Sequence, residues 1–393
     1  MIRRMLASRQ ARKLRRNKLA LVAIVISGLY LSLGLAVALF GVITLEDTEV
    51  RVGPSSLPGF SGERSAETRV EHVDFYLQLF GRALRRDNPE VALAEFDGVA
   101  FREIAVNAET LRTKIDDANV ILRGFDDVEN LDQSPERWAE IDQLESIVES
   151  VFVTPAGFQG FLHDLRMFLG TDRQGRSIAL RGLYSVKVAI QIGLVVAVLA
   201  VLIGSLLGCA AGFFGGWVDH AVIFLYSTFS SIPNLVLLTL LAFAFTGSAM
   251  ESTLIPVYVA FGATYWIGPC RVIRGETLKL RELEYVQAAT AIGYGRLRIM
   301  LRHVIPNAAH LMFVNFSLLF VAAIKGEVIL SFLNLGVKKG PSWGIMISYS
   351  QPEVHNGFYW QIGTATALMF GLVLSFNILT DALQDAFDPK HAG

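Results

Sequence analysis

YVQAATAIGYGRLRIMLRHVIP, residues 285–306, is a charged, helix-prone segment set between two long apolar runs. Ala288, Ala289 and Ala291 are small enough to let another surface approach closely. Gly293 and Gly295 interrupt the helical pattern, and Pro306 is expected to open the next helix. That is the pattern of a docking element rather than of a simple connector. Whether the flanking runs cross a lipid bilayer decides the fold.

Of the 393 residues, 52% are hydrophobic and 18% charged, with a mean hydropathy of +0.45. The apolar residues are clustered, which points to membrane spans rather than to one large soluble core. A span needs about 20 apolar residues to cross about 30 Å of hydrocarbon. Six stretches qualify: 19–45, then about 188–213, 221–247, 252–270, 306–333 and 359–380. All backbone polar groups in lipid must be satisfied internally, and the runs are too continuous for barrel strands, so they read as helices. The apolar core of 19–45 is too long for a cleaved signal peptide and reads as a first span. The expected class is an all-α integral membrane protein with six transmembrane helices and an inserted helical domain outside the membrane.

Lys and Arg set the orientation. Residues 1–18 carry Arg3, Arg4, Arg9, Arg12, Lys13, Arg15, Arg16 and Lys18 without an acid. The loop at 276–305 and its approach carry Arg271, Arg274, Lys279, Arg281, Arg296, Arg298 and Arg302. Both regions, and both termini, are expected in the cytoplasm. The basic N-terminus abuts a span, which argues for lipid contact and against a nucleic-acid partner. Cys209 and Cys270 fall within predicted spans and read as small packing residues; no disulfide framework or cysteine-rich metal site is possible.

Residues 46–168 form a long polar segment after the first span. Its start, 51–65, is rich in Gly, Pro and Ser and reads as a linker. Beyond it, apolar residues recur at spacings of three and four: Val73, Tyr76, Leu77, Phe80 and Leu84; Ile104, Ala108, Leu111, Ile115, Ala118 and Leu122; Ile141, Leu144, Ile147, Val148 and Val151. This periodicity predicts a small helical domain, acidic at Asp126, Asp127 and Glu129. At 169–187 an amphipathic elbow helix is expected, capped by Thr171 or Asp172. Ordinary extension of the next span is the other reading of that stretch.

Pro233 falls inside the third run, as a hinge or a static kink. Lys325 and Glu327 interrupt the fifth near its outer end, where side chains can snorkel; a structural or interfacial role is expected in preference to contact with cargo. Trp266, Trp343 and Trp360 read as anchors at membrane boundaries. His303 and His310 read as structural.

The loop resembles the signature loop of ABC-importer permeases: Glu-Ala-Ala, three residues, Gly, and a Pro thirteen residues later. It stands here as Gln287-Ala288-Ala289, Gly293 and Pro306, with Gln in place of the usual Glu. GTDRQGR at 170–176, GFFGGWVD at 212–219, Ile232-Pro233, LSFLNLG at 330–336, PSWG at 341–344 and DALQDAFDPK at 381–390 are similar to strings of dipeptide and oligopeptide permeases. Asn334 replaces an expected Gly, and Lys338-Lys339 a Pro-rich bend. The likeness covers 170–390 well, 1–45 loosely and 46–168 not at all.

The resemblance implies a type I importer permease core at 186–385, of the "C" subunit kind. It also implies a homologous second permease, two cytoplasmic ABC ATPase subunits and an extracytoplasmic solute-binding protein as partners, in a bacterial inner membrane. The implied docking residues are Tyr285, Gln287, Ala288, Ala289, Ile292, Gly293, Arg296, Arg298 and Pro306. Pro233 and Glu327 are pathway or hinge candidates. The chain has no GxxxxGK[ST], HExxH or EF-hand pattern. It is therefore expected to bind no cofactor, ATP and Mg belonging to the partner subunits. Peptides are the implied cargo. Nickel, a peptide-like antibiotic or an oligosaccharide are alternatives, and a secondary transporter, channel or membrane enzyme is disfavoured for want of charge relays, inverted repeats or a catalytic cluster.

Overall fold

The computed structural model describes residues 18–60, 65–89, 103–125, 137–153 and 157–387. The basic run before Lys18, the acidic run at 126–129 and residues 388–390 of DALQDAFDPK lie outside them. In chain order the helices are α1 (Lys18–Leu39), α2 (Leu45–Glu49), α3 (Ala66–Leu84), α4 (Ala108–Leu122), α5 (Trp138–Glu149), α6 (Gly157–Met167), α7 (Ile178–Phe214) and α8 (Gly216–Ser230). Then come α9 (Asn234–Phe243), α10 (Ile255–Tyr265), α11 (Ile267–Arg281), α12 (Glu284–Ala291), α13 (Arg296–Ile299), a π-helical turn at Met300–Val304, α14 (Ile305–Phe332), α15 (Trp343–His355) and α16 (Trp360–Phe387). The described residues contain only isolated β-bridges and no strand. They divide into two compact units, one from Met1–Val42, Tyr184–Ser348 and Ala365–Gly393, the other from Ile43–Leu183 and Tyr349–Thr364.

Among the described residues, four helical stretches are long and apolar enough to cross a membrane: Lys18–Leu39, Ile178–Phe214, Arg296–Phe332 and Trp360–Ala382. The pair α8–α9, bent by 85°, makes a fifth if it is one span. Close helix contact rests on small residues. A Cβ on Gly204 of α7 would lie 2.4 Å from the Trp266 carbonyl oxygen, and one on Gly208 2.5 Å from that of Cys270. Only glycine lets the backbones of α7 and α11 approach so closely. Cys209 and Cys270 are fully buried in this packing, beside Ile273 and Ala211. The Tyr30 hydroxyl of α1 donates to the Leu368 carbonyl of α16 at 2.9 Å. The rings of Phe320 and Phe376 meet at 4.4 Å, tilted by 34°, between α14 and α16.

Three prolines revise the expected spans. The third run does not form one kinked helix: Pro233, with ψ 128°, stands between α8 and α9 in a non-helical conformation. Its ring also disfavours the helical region for Ile232, so the helix stops at Ser230 and restarts at Asn234. The fourth run, 252–270, is divided at Trp266. Pro269 offers no N–H to the carbonyl of Tyr265, and α10, 11 residues long, reaches about 16 Å, short of a bilayer core. Pro306 stands in the first turn of α14, where its position predicted it, but it starts no separate span. It lies inside a run continuous from Arg296, which widens into the π turn at Met300–Val304 and so accommodates the missing donor.

Other expectations are revised by burial. Glu327 does not snorkel: it is 1% exposed, and the Ser331 hydroxyl donates to its Oε1 at 2.6 Å. The N–H of Val337 donates to Ser331 in turn, so Glu327 fixes the turn after α14. Lys325, on another side of the helix, is exposed. Trp266 and Trp343 are buried in protein rather than set at a boundary.

The second unit holds a bundle of α3, α4 and α5. Its core is Val73, Tyr76, Leu77, Phe80, Leu111, Ala118, Ile141, Leu144, Val148, Val151 and Phe152. Arg69 of α3 ties the bundle by pairing with Glu145 at 2.8 Å and with Asp142 on α5. The described part of the expected linker, 51–60, is not loose. It packs along 168–177, where Thr171 and Leu57 exchange hydrogen bonds and the N–H of Val52 donates to Gly175. Gly175, at φ +75°, would place a Cβ 2.2 Å from the Gly53 carbonyl oxygen, so no other residue fits.

The separate elbow helix over 169–187 is not formed. Residues 170–177 are a turn, and α7 runs unbroken for 37 residues from Ile178. Its N-terminal cap is Ser177, which accepts from the N–H of Leu180 at 3.2 Å, rather than Thr171 or Asp172. Asp172 instead organises the turn: its Oδ1 accepts from the N–H groups of Gln174 and Arg176. Its Oδ2 pairs with the Arg176 guanidinium at 2.8 Å. Glu49 bridges Arg176 and Arg181, at 2.7 and 2.8 Å. These opposed charges satisfy one another inside the unit. Glu353 of α15 lies beside them, 2% exposed, accepting from the N–H of Arg173 at 3.0 Å.

Candidate functional site

The surface around α12 is built on the helices beneath it. Asp219 of α8 forms a two-point pair with Arg274 of α11 at 2.5 and 2.7 Å. The Arg281 guanidinium donates to the Gly212 carbonyl at 3.2 Å. Two of the basic residues that set the charge of this loop are therefore spent on holding α11 to α7 and α8. A short extended step at Leu283 starts α12.

Only one side of α12 is buried. Val286 and Ala289 pack with Ile299 of α13 against Phe213 at the end of α7. The expectation that Ala288 and Ala289 both face a partner is thus half revised: Ala289 serves this internal contact, while Ala288 is exposed. Gly293, at φ +91°, ends the helix. The N–H of Tyr294 donates to the Ala289 carbonyl at 3.1 Å, and that of Gly293 to Thr290 at 3.0 Å, which is the hydrogen-bond pattern of a Schellman stop.

Gln287, Ala288, Ile292, Gly293, Arg296, Arg298 and Pro306 all reach the surface. Ile292 is 75% exposed, a position that a lone soluble helix has no reason to leave apolar. Tyr285 is exposed along one edge, but its hydroxyl accepts from Asn307 Nδ2 at 3.0 Å and its ring rests near His303. The Gln287 amide turns back to donate to the carbonyl of Glu282 at 3.1 Å. A carboxylate has no such donor.

Sequence reasoning overlooked Tyr294, Leu297 and Leu301. All are exposed, Leu297 by 59%, and they extend the apolar surface of Ile292 beyond the glycine break. Leu297 and Leu301 are four apart, opposite the buried Ile299, Met300 and Val304; the spacing was available to read. The candidate hinge Pro233 and the buried Glu327 belong to other parts of the unit and do not join this surface.

The turn after α14 explains one departure from the expected strings. Asn334 has φ +59°, the left-handed conformation for which Gly is usual and Asn the best-tolerated substitute. Lys338 donates to the Asn334 carbonyl at 2.7 Å.

Residues 179–392 match the family described as binding-protein-dependent transport system inner membrane component. Over 224 residues the chain is 32% identical to the dipeptide transport system permease protein DppC of Bacillus subtilis strain 168, covering 57% of this chain and 68% of that one. It is 34% identical to the oligopeptide transport system permease protein OppC of Haemophilus influenzae, with 57% and 70% covered. It is 31% identical to the glutathione transport system permease protein GsiD of Pectobacterium atrosepticum, with 57% and 72% covered.

Proposed function

Since the chain belongs to the family of binding-protein-dependent transport system inner membrane components, we propose that it is a permease subunit through which short peptides are imported. The relatives named for dipeptide, oligopeptide and glutathione transport support that cargo class. As a multi-pass membrane protein of an ABC importer it works with ATPase and solute-binding partners. In our reading these are two cytoplasmic ATPase subunits, an extracytoplasmic binding protein and a homologous second permease, with lipid around the remaining apolar helix faces. Both termini and α12 lie on the cytoplasmic side, where the Lys and Arg bias directs them.

The observation that carries this reading is the one-sided burial of α12. A short helix seated on the end of α7 by Val286 and Ala289, with Ala288 and Ile292 turned outward, suits the cleft of an ATPase. The exposed Ile292 and Leu297 supply apolar anchors, and Arg296 and Arg298 the charged rim. Rigid seating on α7 and α11 lets nucleotide-driven closure of the ATPase move whole helices, and two arrangements of those helices give alternating access.

The test is Gly293→Arg. No atom lies within 4 Å of where its Cβ would be, so the chain still inserts; the strained backbone costs about 1–3 kcal/mol and displaces the helix stop. Peptide uptake by the reconstituted complex is expected to fall to background while ATP hydrolysis continues. Undiminished uptake would sink the docking assignment.

A further inference from the structure

Phe60, Phe161, Phe168 and Tyr359 of the second unit are between 49% and 67% exposed. Phe60, Phe161 and Phe168 precede residue 179, outside the segment that matches the transport family. The rings are not scattered. Phe60 and Phe168 stack at 4.7 Å, and Phe60 meets Trp360 in an edge contact at 5.5 Å. Tyr359 adjoins Trp360 in the chain, and Phe161 lies two helical turns before Phe168, on the same side of α6. The backbone holds the group in place. The N–H of Phe60 donates to the Phe168 carbonyl at 3.0 Å. Gly59 lies flush on Trp360, where a Cβ would be 2.7 Å from the ring. Gly170, at φ +78°, would place a Cβ 2.0 Å from the Leu57 carbonyl oxygen, so glycine is required for 57–60 and 168–170 to lie together.

Trp360 fixes where this group lies. It is the first residue of the apolar stretch Trp360–Ala382, 23 residues long, which reaches about 34 Å as a helix. The hydrocarbon core takes about 30 Å of that, so Trp360 stands within a few ångströms of its boundary. The polar interface extends about 5–8 Å farther on each side. Rings packed on Trp360 therefore fall in that layer, where aromatic side chains are favoured. α6 has the two-sided character of an interfacial helix, with Phe161 exposed and His163 and Asp164, paired at 3.5 Å, as nearby polar groups.

We propose that Phe60, Phe161, Phe168 and Tyr359 rest in the lipid headgroup layer, so that the second unit lies against the bilayer surface through α6 and the 57–60 segment. An exposed aromatic patch at the mouth of a span fits a lipid surface, because the rings leave water there without needing a partner of matching shape. The inference rests on the membrane class of the chain and holds for any cargo. It anchors to lipid a segment that lies outside the family match.

The full chain is reconstituted in phosphatidylcholine liposomes with a nitroxide on the thiol introduced by Phe161→Cys; Cys209 and Cys270 are buried and stay unlabelled. Val120→Cys on α4, exposed but outside the cluster, is the reference. Saturation electron paramagnetic resonance compares the access of oxygen, which concentrates in lipid, with that of a water-soluble nickel chelate. The oxygen-to-nickel ratio is expected to be several-fold higher at position 161 than at position 120. Equal ratios overturn the proposal. Shielding of position 161 from both reagents, or shielding that appears only when the solute-binding protein is added, marks a protein contact and overturns it too. Phe60→Ser with Phe168→Ser removes the rings between α6 and Trp360 and is expected to bring the ratio at position 161 down to that at position 120. An unchanged ratio means that another part of the chain carries α6 to the membrane, and refutes the role of the cluster. An unchanged melting temperature checks the fold of the double variant; should it fail to fold, the comparison of positions 161 and 120 decides alone.

Discussion

Gln287 and Asn334 illustrate how single residues depart from a pattern without breaking it. Gln287 donates to the Glu282 carbonyl, which an ionised carboxylate cannot do, so α12 is latched to the end of α11 by a bond that the usual Glu does not form. Asn334 adopts the left-handed backbone required at its turn. Glu353 shows what no motif announces. Burial, reinforced by Asp172, pushes its carboxyl up to about 7, with the Arg173 N–H, Arg173 and Arg176 opposing the shift. The raised value means that the folded state binds the proton more tightly than the unfolded chain does. The resulting stability is present below the ordinary carboxylate range and is lost as the pH rises through about 7. From pH 4.5 to 8 the wild-type chain is expected to lose on the order of 3 kcal/mol from this group. Glu353→Gln removes that slope, as read by melting temperature against pH; identical profiles for the two proteins would refute the assignment.

At the scale of elements, contacts between helices depend on what is missing from side chains. Gly204 and Gly208 let α7 lie on the backbone of α11, and that contact is the base on which α12 sits. Gly208→Leu forces the two helices apart. A loss of about 1–3 kcal/mol is expected from overpacking alone, seen as a lower melting temperature in detergent. Because α12 rests on the end of α7, ATPase-coupled uptake should fall further than the melting temperature implies; a variant that melts early yet transports normally would separate the docking surface from this contact. The proline breaks at Pro233 and Pro269 were open to reading as kinks, but their outcomes differ. One bends the chain by 85°, another merely divides α10 from α11, and Pro306 is absorbed by a π turn. Proline removes the same donor each time; the neighbours decide how the gap is closed.

For the whole molecule, the insert is not bounded where composition changes. Residues 51–60 and 168–177 pack together and share a unit with 349–364, whereas the α3–α5 bundle has its own core. Replacing 66–152 by a short Gly-Ser linker, with 43–60 and 168–183 kept, is therefore expected to leave the chain inserted and assembled with the ATPase. Capture of the solute-binding protein and peptide uptake should drop; normal values for both would remove any role for the bundle in loading. Much was legible in order along the chain: the all-α membrane class from the length of the apolar runs, the bundle from its three-and-four spacing, and a short helix ended at Gly293 from the alanines and glycines of 285–295. These depend on local periodicity and composition, which a sequence carries directly. Tertiary structure alone decided that Ala289 faces inward, that Glu327 is buried and bonded, that 170–177 is a charged turn rather than an elbow helix, and that Phe60, Phe168 and Trp360, far apart in the chain, form one aromatic cluster. Each of those outcomes depends on which surfaces meet, and hydrophobic patterning specifies that a face is buried without specifying against what.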